Sequence, residues 1–357
     1  MKDLVLYLSV LSLPTAFSTN AWAWAATGHS IISHVAARLL AEPEFDAKIQ
    51  TPFLMKEDLL AHLSNIPDTG WKIMPGIREL LDPTHFFEVD QVLSKDSPAP
   101  ANLAELAVSI QANCHGMACK KDATILKILT KHGSAPWRAE QFARKMVDAL
   151  KFIHEHPLSK TDTLLADEAM EAAGLLSHFI GDLSNPHHVT DDFDGWGTGQ
   201  GGLHAYFEAE IVDALPLSLV QEVWDYAQKE RPFQKFILPM LNSANRKDTV
   251  AIDIALARNS LQNLDTLLRL DQNHSLKKKG SLRGEEKKVK AQRASPKSVA
   301  HYYRTFVIER LGIAADTLAH VWYQTWEKAG RPNLSSYFSL VYPLNPDPVL
   351  PNYLFEN

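Results

Sequence analysis

Two histidine–carboxylate pairs stand out in the sequence because each has the spacing of one helical turn. His178 precedes Asp182 by four residues, and His204 precedes Glu208 by four residues. Side chains at this spacing lie on the same face of a helix, so each pair could share one metal ion or bridge two. One such pair is also common on an ordinary hydrogen-bonded helix surface. Two pairs, with His188 between them, favour a metal site, and imidazole nitrogen and carboxylate oxygen are ligands that suit zinc.

Three residues nearer the start of the chain are further candidates: His29, Asp68 and His85. Each has an ordinary interpretation when taken alone. His85 stands beside two phenylalanines and fits a buried core histidine equally well. Asp68 follows a proline and fits a turn or a helix cap equally well.

The order of these residues resembles that of the phospholipase C and single-strand nuclease superfamily of helical zinc enzymes. The matching elements are Trp24-x3-Gly28-His29, Pro67-Asp68, Thr84-His85-Phe86, His178-x3-Asp182-x5-His188 and His204-x3-Glu208. The resemblance covers residues 24–208, with a looser helical similarity near 312–326. It implies an all-α fold of the phospholipase C and nuclease type and a secreted phosphodiesterase that binds three Zn2+ ions per chain.

The resemblance also implies a role for each candidate ligand. The three implied sets are Asp68, His85, His178 and Asp182; the amino group and carbonyl of Trp24 with His29 and the shared Asp182; and His188, His204 and Glu208. Two metal ions roughly 3.5–4 Å apart lower the pKa of a bridging water and make hydroxide at neutral pH, so that no side-chain nucleophile is needed. Asp68 and Asp182, on the close metal pair, are thereby implied to be catalytic.

The first 23 residues have the features of an export signal. Lys2 provides a charged start, Leu4 to Phe17 form an apolar run, and Ala21-Trp22-Ala23 fits a cleavage site. The run is shorter than the roughly 20 residues of a membrane span, although an uncleaved anchor is the alternative. We expect a secreted or periplasmic protein without integral membrane association. Cleavage before Trp24 would create the free amine that the second zinc site requires.

Composition is consistent with one folded domain over residues 24–357, and we expect a monomer. The chain is 45% hydrophobic and 22% charged, with a formal net charge of -6. This charge disfavours tight wrapping of duplex nucleic acid, which usually needs a basic surface, but it leaves room for a nuclease that grips a few nucleotides. The two cysteines, Cys114 and Cys119, could form one small-loop disulfide in an exported protein, or remain as free thiols.

Apolar residues recur at helical spacing through most of the chain, which predicts an all-α architecture. The predicted helices cover residues 28–40, 59–63, 140–153, 168–183, 203–215, 298–312 and 313–326. Two other segments are predicted to be loops. Asp191 to Gly202 is rich in Gly and Asp, and residues 276–297 form a basic stretch that we expect to be a mobile surface insertion.

The sequence leaves the substrate open between nucleic acid and phospholipid. The short spacing from Trp24 to His29 and the Cys114-x4-Cys119 pair resemble the nuclease branch of the superfamily. Glu208 at the last ligand position and the run from His204 to Glu208 resemble the phospholipase branch. We favour a nuclease on single-stranded DNA or RNA over a zinc phospholipase C. A secreted zinc-binding protein without activity is the third possibility.

Four residues are candidates for substrate contact. The superfamily usually has a basic residue three positions after the first metal-binding Asp; Trp71 stands there, and Lys72 follows and could stabilise phosphate charge. Tyr206, Phe207 and Trp196 could stack on a base, although each is also an ordinary candidate for packing in the core or a loop.

The signal peptide and the metal site make one joint prediction. Purified exported protein should begin at Trp24 and carry about three zinc ions, because the free amine exists only after cleavage. N-terminal sequencing and elemental analysis of the same sample test this. Little zinc on an uncleaved chain would contradict the metal site.

Overall fold

The computed structural model describes residues 24–93, 97–100, 102–106, 108, 125–155, 162–282 and 288–354. Within these ranges the chain is mostly helical, which confirms the all-α prediction. The predicted signal peptide and both cysteines, Cys114 and Cys119, lie outside the described residues. No helix of the described part has both the length and the apolar character that crossing a membrane would require.

The described ranges contain the following helical elements. The α-helices are α1 (Ala26–Leu39), α2 (Ala47–Met55), α3 (Glu57–Leu63), α4 (Arg78–Leu81), α5 (Val89–Val92), α6 (Ile125–His132), α7 (Ala135–Glu155), α8 (Asp162–Ser184), α9 (Leu203–Ala205), α10 (Leu219–Glu230), α11 (Leu238–Ala244), α12 (Thr249–Gln262), α13 (Leu264–Leu270) and α14 (Pro296–Lys328). Between them lie π-helical segments at Pro67–Trp71, Tyr206–Ile211, Phe233–Ile237 and Asp271–Ser275, and 3₁₀ segments at Asp82–His85, Pro186–His188 and Asn352–Leu354.

Helix α8 lies at the centre of the bundle. It packs along α7 and also contacts α1, α3, α12 and α14, so its apolar residues are buried on several sides at once. Gly174 permits the approach of α3, since a Cβ at this position would lie 2.7 Å from the Cβ of Leu63. One continuous apolar cluster runs from Trp24 at the start of the described chain to Tyr353 near its end.

Helix α14 is a single helix where the sequence predicts two. The predicted boundary at Gly312 lies within continuous helix. The glycine has a packing role instead, because a Cβ there would lie 2.5 Å from the ring of Tyr226 on α10. Glycine lowers helix stability by about 1 kcal/mol relative to alanine, and the close helix contact offsets this cost.

The chain after α14 runs as an extended strap, residues 334–350, across the bundle. Buried and half-buried side chains donate hydrogen bonds to its backbone carbonyl groups. The donor and acceptor pairs are Lys56 to Ser339 and Val341, Trp71 to Pro346, Arg138 to Val349, and Gln141 to Leu350. The strap thus satisfies donors that the helices alone would leave buried without a partner.

The basic stretch after α13 differs from the predicted loop. It forms two short antiparallel pairs, of β1 (Leu276–Lys278) with β4 (Gln292–Arg293) and of β2 (Ser281–Leu282) with β3 (Lys288–Val289). The helical spacing of the surrounding sequence gives no signal for strands this short. The glycine-rich segment at 191–202 is a series of turns, as predicted.

Candidate metal centre

Four of the predicted ligands meet around the carboxylate of Asp182, which is fully buried. Asp182 Oδ2 lies 3.2 Å from both His85 Nδ1 and His178 Nε2. Asp68 Oδ1 lies 3.5 Å from His85 Nδ1 and 3.9 Å from His178 Nε2. Donor atoms around a tetrahedral zinc ion are roughly 3.3 Å apart, given bonds of about 2.0–2.1 Å. The four side chains therefore have the spacing of one metal ion's ligand set.

The second carboxylate oxygen of Asp182 faces a different histidine. His29 Nε2 lies 3.4 Å from Asp182 Oδ1, and the His29 ring stacks on that of His178 with centroids 4.2 Å apart. Gly181 makes room for this ring, because a Cβ there would lie 2.7 Å from His29 Nδ1. One carboxylate thus reaches two groups of ligands, which is the arrangement a bridging ligand needs.

Trp24 lies beside this second group. Its indole is buried and donates from Nε1 to the hydroxyl of Ser184 at 2.9 Å, and its carbonyl oxygen accepts from the amide of His29 at 3.3 Å. The turn that leads into α1 therefore brings the backbone carbonyl of Trp24 next to the backbone amide of His29. Its predicted role as an N-terminal ligand also depends on residues 1–23, which lie outside the described residues, and remains a prediction.

A third group is formed by His188, His204 and Glu208. Glu208 Oε2 lies 2.8 Å from His204 Nε2 and 3.7 Å from His188 Nε2, and the two ring nitrogens are 2.8 Å apart. The amide of Asn185 donates to Glu208 Oε2 at 3.1 Å and so holds the carboxylate in place. The spacing of four residues between His204 and Glu208 does put both side chains on one face, as predicted.

Backbone carbonyl groups fix two of the histidine rings. Nδ1 of His178 donates to the carbonyl of Ser64 at 2.7 Å, and Nδ1 of His188 donates to the carbonyl of His85 at 2.6 Å. With Nδ1 as the donor, the neutral ring keeps its lone pair on Nε2, which is the atom that faces the other ligands. Hydrogen bonds of this kind orient metal-binding histidines in proteins.

Several buried polar atoms of the centre have no hydrogen-bond partner. They are both ring nitrogens of His29, Asp182 Oδ1, His204 Nδ1 and Glu208 Oε1. A buried polar atom without a partner costs about 1–3 kcal/mol, so a cluster of them is unusual unless a cation completes their coordination. These buried side chains form sets of three, and within each set the candidate ligand atoms lie within 4.8 Å of one another. These buried groups of His, Asp and Glu could hold metal ions.

The charge states of the side chains fit the same interpretation. Burial lowers the pKa of His85 to about 3 and that of His204 to about 4, so both rings are neutral at pH 7 and offer a lone pair. Burial alone would raise the pKa of Asp182, but His178 outweighs it and lowers the pKa well below its usual value. Burial raises the pKa of Glu208 to about 8, so a cation that binds there at neutral pH must displace a proton.

An open cavity of about 430 Å³ is lined by members of the first and third groups. His85, His187, His188 and His204 lie on its wall. The other wall residues are the cationic Lys72, Arg78 and Lys131, the acidic Asp82 and Glu88, the aromatic Phe86 and Phe193, and Thr190. Arg78 forms an ion pair with Asp82 at 3.1 Å. The imidazoles, lysines and aromatic faces of this cavity can bind an anionic group that has an apolar or aromatic portion.

Of the substrate contacts predicted from the sequence, one lies at the cavity and the others do not. Lys72 lines the cavity, with Nζ 2.8 Å from Asp68 Oδ1. Phe207 is fully buried against Trp24 and α14, and the Tyr206 hydroxyl donates to the carbonyl of Ala294, so neither aromatic faces the cavity. Glu208 lies on the side of this helical segment that faces the metal groups, so its neighbours Tyr206 and Phe207 face the core.

Trp196 is also absent from the cavity wall; its ring packs on Gly201, where a Cβ would meet it at 2.2 Å. The aromatic residues at the cavity are Phe86 and Phe193. Phe86 could have been identified from the sequence, because it directly follows His85, a predicted metal ligand. Arg78 and Lys131 carry no such signal and are identified by the fold alone.

No protein-family model matches this chain, and a comparison with curated proteins gives no match either. The three ligand groups and the cavity above them are therefore the basis for any functional proposal.

The packing of His29 on Gly181 makes a testable prediction. Gly181→Ala should displace the His29 ring and lower the affinity for one divalent metal ion by about tenfold or more. Gly174→Ala is the matched control, because it lies on the same helix and meets Leu63 at the same 2.7 Å but touches no ligand. Zinc affinity measured by chelator competition distinguishes them. Equal affinities in the two variants would contradict a metal ligand at His29.

Proposed function

We propose that this chain is a zinc-dependent phosphodiesterase that holds three zinc ions and hydrolyses single-stranded nucleic acid. One observation carries the proposal: the two oxygens of Asp182 face separate histidine groups, His85 with His178 on one side and His29 on the other. Such a shared carboxylate is typical of paired metal ions in phosphate-ester hydrolysis. The resemblance of the ligand order to the phospholipase C and single-strand nuclease superfamily supports the same assignment.

The residues proposed to hold the three ions are those that the ligand order implies. They are Asp68, His85, His178 and Asp182 for the first; Asp182, His29 and the backbone of Trp24 for the second; and His188, His204 and Glu208 for the third. When bound, the zinc ions would supply an activated water and polarise the phosphate oxygens. The mixed nitrogen and oxygen donor set suits zinc.

The cations at the cavity rim are proposed to bind the phosphate groups. Burial alone would lower the pKa of Lys72, but the carboxylate of Asp68 outweighs it and raises the pKa above its usual value, so the ammonium group stays charged at neutral pH. Lys131 and Arg78 line the same cavity. Charged hydrogen bonds from these groups would compensate phosphate charge as the ester bond breaks.

The aromatic side chains favour a nucleobase over other groups attached to the phosphate. Phe193 has an exposed fraction of 48% although it is large and apolar, and it lines the cavity together with Phe86. A base that stacks on an aromatic side chain gains about 1–3 kcal/mol without sequence preference. Duplex DNA hides the faces of its bases, so a stacking site of this kind favours single strands.

A zinc phospholipase C is the second candidate, and the strap at residues 334–350 favours it. Phe338, Leu340, Tyr342 and Leu344 alternate along this extended segment and are 45–77% exposed. The strap reaches the cavity region, because Trp71, next to Lys72, donates to the carbonyl of Pro346 at 2.9 Å. Exposed apolar residues in a row suit contact with a lipid surface.

The bridging role of Asp182 predicts unequal loss of metal in two isosteric variants. Asp182→Asn should lose about two zinc ions and Glu208→Gln about one, because only Asp182 belongs to two ligand sets. Elemental analysis after dialysis gives the count, and thermal unfolding checks that both variants fold. Asp182→Asn should also abolish hydrolysis of a phosphodiester substrate. A fully active Asp182→Asn variant would count decisively against the proposed mechanism.

The substrate class is tested with wild type and two surface phenylalanine variants. Hydrolysis of single-stranded DNA and of phosphatidylcholine vesicles is compared at equal zinc loading. Phe193→Ala should lower kcat/KM on single-stranded DNA by about tenfold, the value of one stacked base. Phe338→Ala, which removes an exposed ring from the strap, should leave that value unchanged.

Each other outcome points to one alternative. Hydrolysis of phosphatidylcholine alone, weakened by Phe338→Ala and not by Phe193→Ala, would identify the phospholipase C. Activity on neither substrate, with zinc fully bound, would identify a zinc-binding protein without this chemistry.

A further inference from the structure

The basic stretch after α13 differs in charge from the rest of the chain. Residues 276–297 contain nine Lys and Arg residues against two Glu, whereas the whole chain has a formal net charge of -6. The proposed catalytic residues do not account for this concentration of positive charge. Its described part is the basic hairpin, defined as residues 276–282 and 288–293.

The lysines of the basic hairpin point to solvent. Lys277, Lys278, Lys279, Lys288 and Lys290 are all exposed. Among the described residues, none of the five forms an ion pair with a carboxylate. Five ammonium groups on one short element repel one another, and an anionic partner would relieve that repulsion.

The hairpin is fixed to the glycine-rich loop at 191–202. The amide of Gly280 donates to the carbonyl of Gly199 at 2.8 Å, and the amide of Ala291 donates to that of Gly201 at 2.9 Å. These backbone hydrogen bonds extend over both arms of the hairpin. They set its position relative to the loop independently of its lysine side chains.

A buried ion pair strengthens this attachment. Arg293 Nε donates to Asp271 Oδ1 at 2.7 Å, and its guanidinium also donates to the carbonyl groups of Gln200 and Gly201. The side-chain amide of Gln200 donates to Asp271 Oδ2 at 2.9 Å. Because Asp271 is fully buried, breaking this network would leave an unpaired charge inside the protein, which is costly.

The same loop forms part of the cavity wall. Phe193 and His204 at its two ends line the cavity, and the side chain of Lys290 packs beside Gly202, two residues before the ligand His204. Two residues span at most about 7 Å. The hairpin lysines therefore begin within about two nucleotide lengths of the metal groups, since successive phosphates are a few ångströms apart.

We propose that the basic hairpin is a second, sequence-independent binding surface for the phosphate backbone of the single-stranded nucleic acid whose scissile bond lies in the metal cavity. This inference rests on the proposed nuclease function. The cavity holds one or two nucleotides, and the strand that leaves it passes along the loop onto Lys279, Lys288 and Lys290. Lys288 Nζ also lies 5.6 Å from the ring centroid of Trp196, so an aromatic face accompanies the charges, as in other single-strand grooves.

An anionic membrane is the competing partner for a lysine cluster. Leu282 and Val289 are exposed in the outer strand pair, and a lipid surface would use such residues. Two neighbouring apolar side chains bury little area, however, and Lys279 and Lys290 pack beside Gly199 and Gly202 of the loop that leads to His204. The geometry therefore favours a strand that is continuous with the catalytic site.

The test uses the zinc-loaded full chain and a charge-matched control. The hairpin variant is Lys279→Gln, Lys288→Gln and Lys290→Gln together, and the control is Lys151→Gln, Lys229→Gln and Lys247→Gln, three exposed lysines on or beside other helices. The probe is a labelled phosphorothioate oligothymidylate of about 16 nucleotides, whose modified backbone resists hydrolysis. Fluorescence anisotropy at several salt concentrations gives the affinity.

The hairpin variant should bind the oligonucleotide about tenfold more weakly than wild type at low salt. The slope of log affinity against log salt concentration should be about 2 smaller in magnitude than that of wild type, the value for three phosphate contacts on a single strand. The control should match wild type in both. Hydrolysis of a dinucleotide, which extends by only one nucleotide to either side of the scissile bond, should be the same in all three proteins. If hydrolysis of the dinucleotide fell as much as binding of the long strand, the lysines would have only a structural role, and the inference would be overturned.

Other outcomes separate this inference from the proposed function. Wild-type nuclease activity with equal oligonucleotide affinity in both variants would overturn the hairpin surface and leave the nuclease intact. Oligonucleotide binding that depends on the hairpin, without any hydrolysis, would support the hairpin as a binding surface and would contradict the proposed nuclease activity. Binding of anionic phosphatidylserine vesicles, but not of oligonucleotide, through the three lysines would assign the hairpin to a membrane and overturn the inference.

Discussion

The buried carboxylate of Asp182 is the constraint on which the centre of the molecule depends. A carboxylate removed from water is stable only with partners on both oxygens, and here each oxygen faces imidazole nitrogens at 3.2–3.4 Å. Those imidazoles are themselves buried. Burial lowers the pKa of His29 and His85, so these two rings offer lone pairs, whereas Asp182 and Asp68 outweigh burial at His178 and raise its pKa, so His178 compensates only part of the charge. Cations between the carboxylate and the imidazoles would satisfy both at once. The packing of α1, α3, α7 and α14 around α8 then serves to exclude water from this centre.

The segments that present the other ligands depart from α-helical geometry. Asp68 and Glu208 lie in π-helical segments, and His85 and His188 each end a 3₁₀ segment. Such segments are less stable than α-helix and occur often at functional sites. Each changes the direction of one side chain without interrupting the chain, which lets ligands from distant parts of the sequence converge on Asp182.

The sequence predicts the ligands better than their surroundings. The four-residue spacing of His178 with Asp182, and of His204 with Glu208, gives the helical face directly, and the fold brings both pairs into the centre. The orientation of Phe207 could not be predicted, because a helical pattern of apolar residues does not say which face meets the cavity. Lys72 at the cavity was predicted, but Arg78, Lys131 and the short strands were missed, since their positions depend on tertiary contacts between segments far apart in sequence and not on local propensity.

The glycine-rich loop at 191–202 connects the two properties that a nuclease of this kind would need. Its last glycine adopts a left-handed conformation, with φ of +88° at Gly202, directly before the turn that carries His204. The absence of side chains at its glycines lets the lysines of the basic hairpin pack closely on its backbone. A larger residue at Gly202 would strain the turn and meet Lys290 at 3.1 Å. The position of the candidate ligand His204 and the position of Lys290 therefore both depend on the backbone at Gly202.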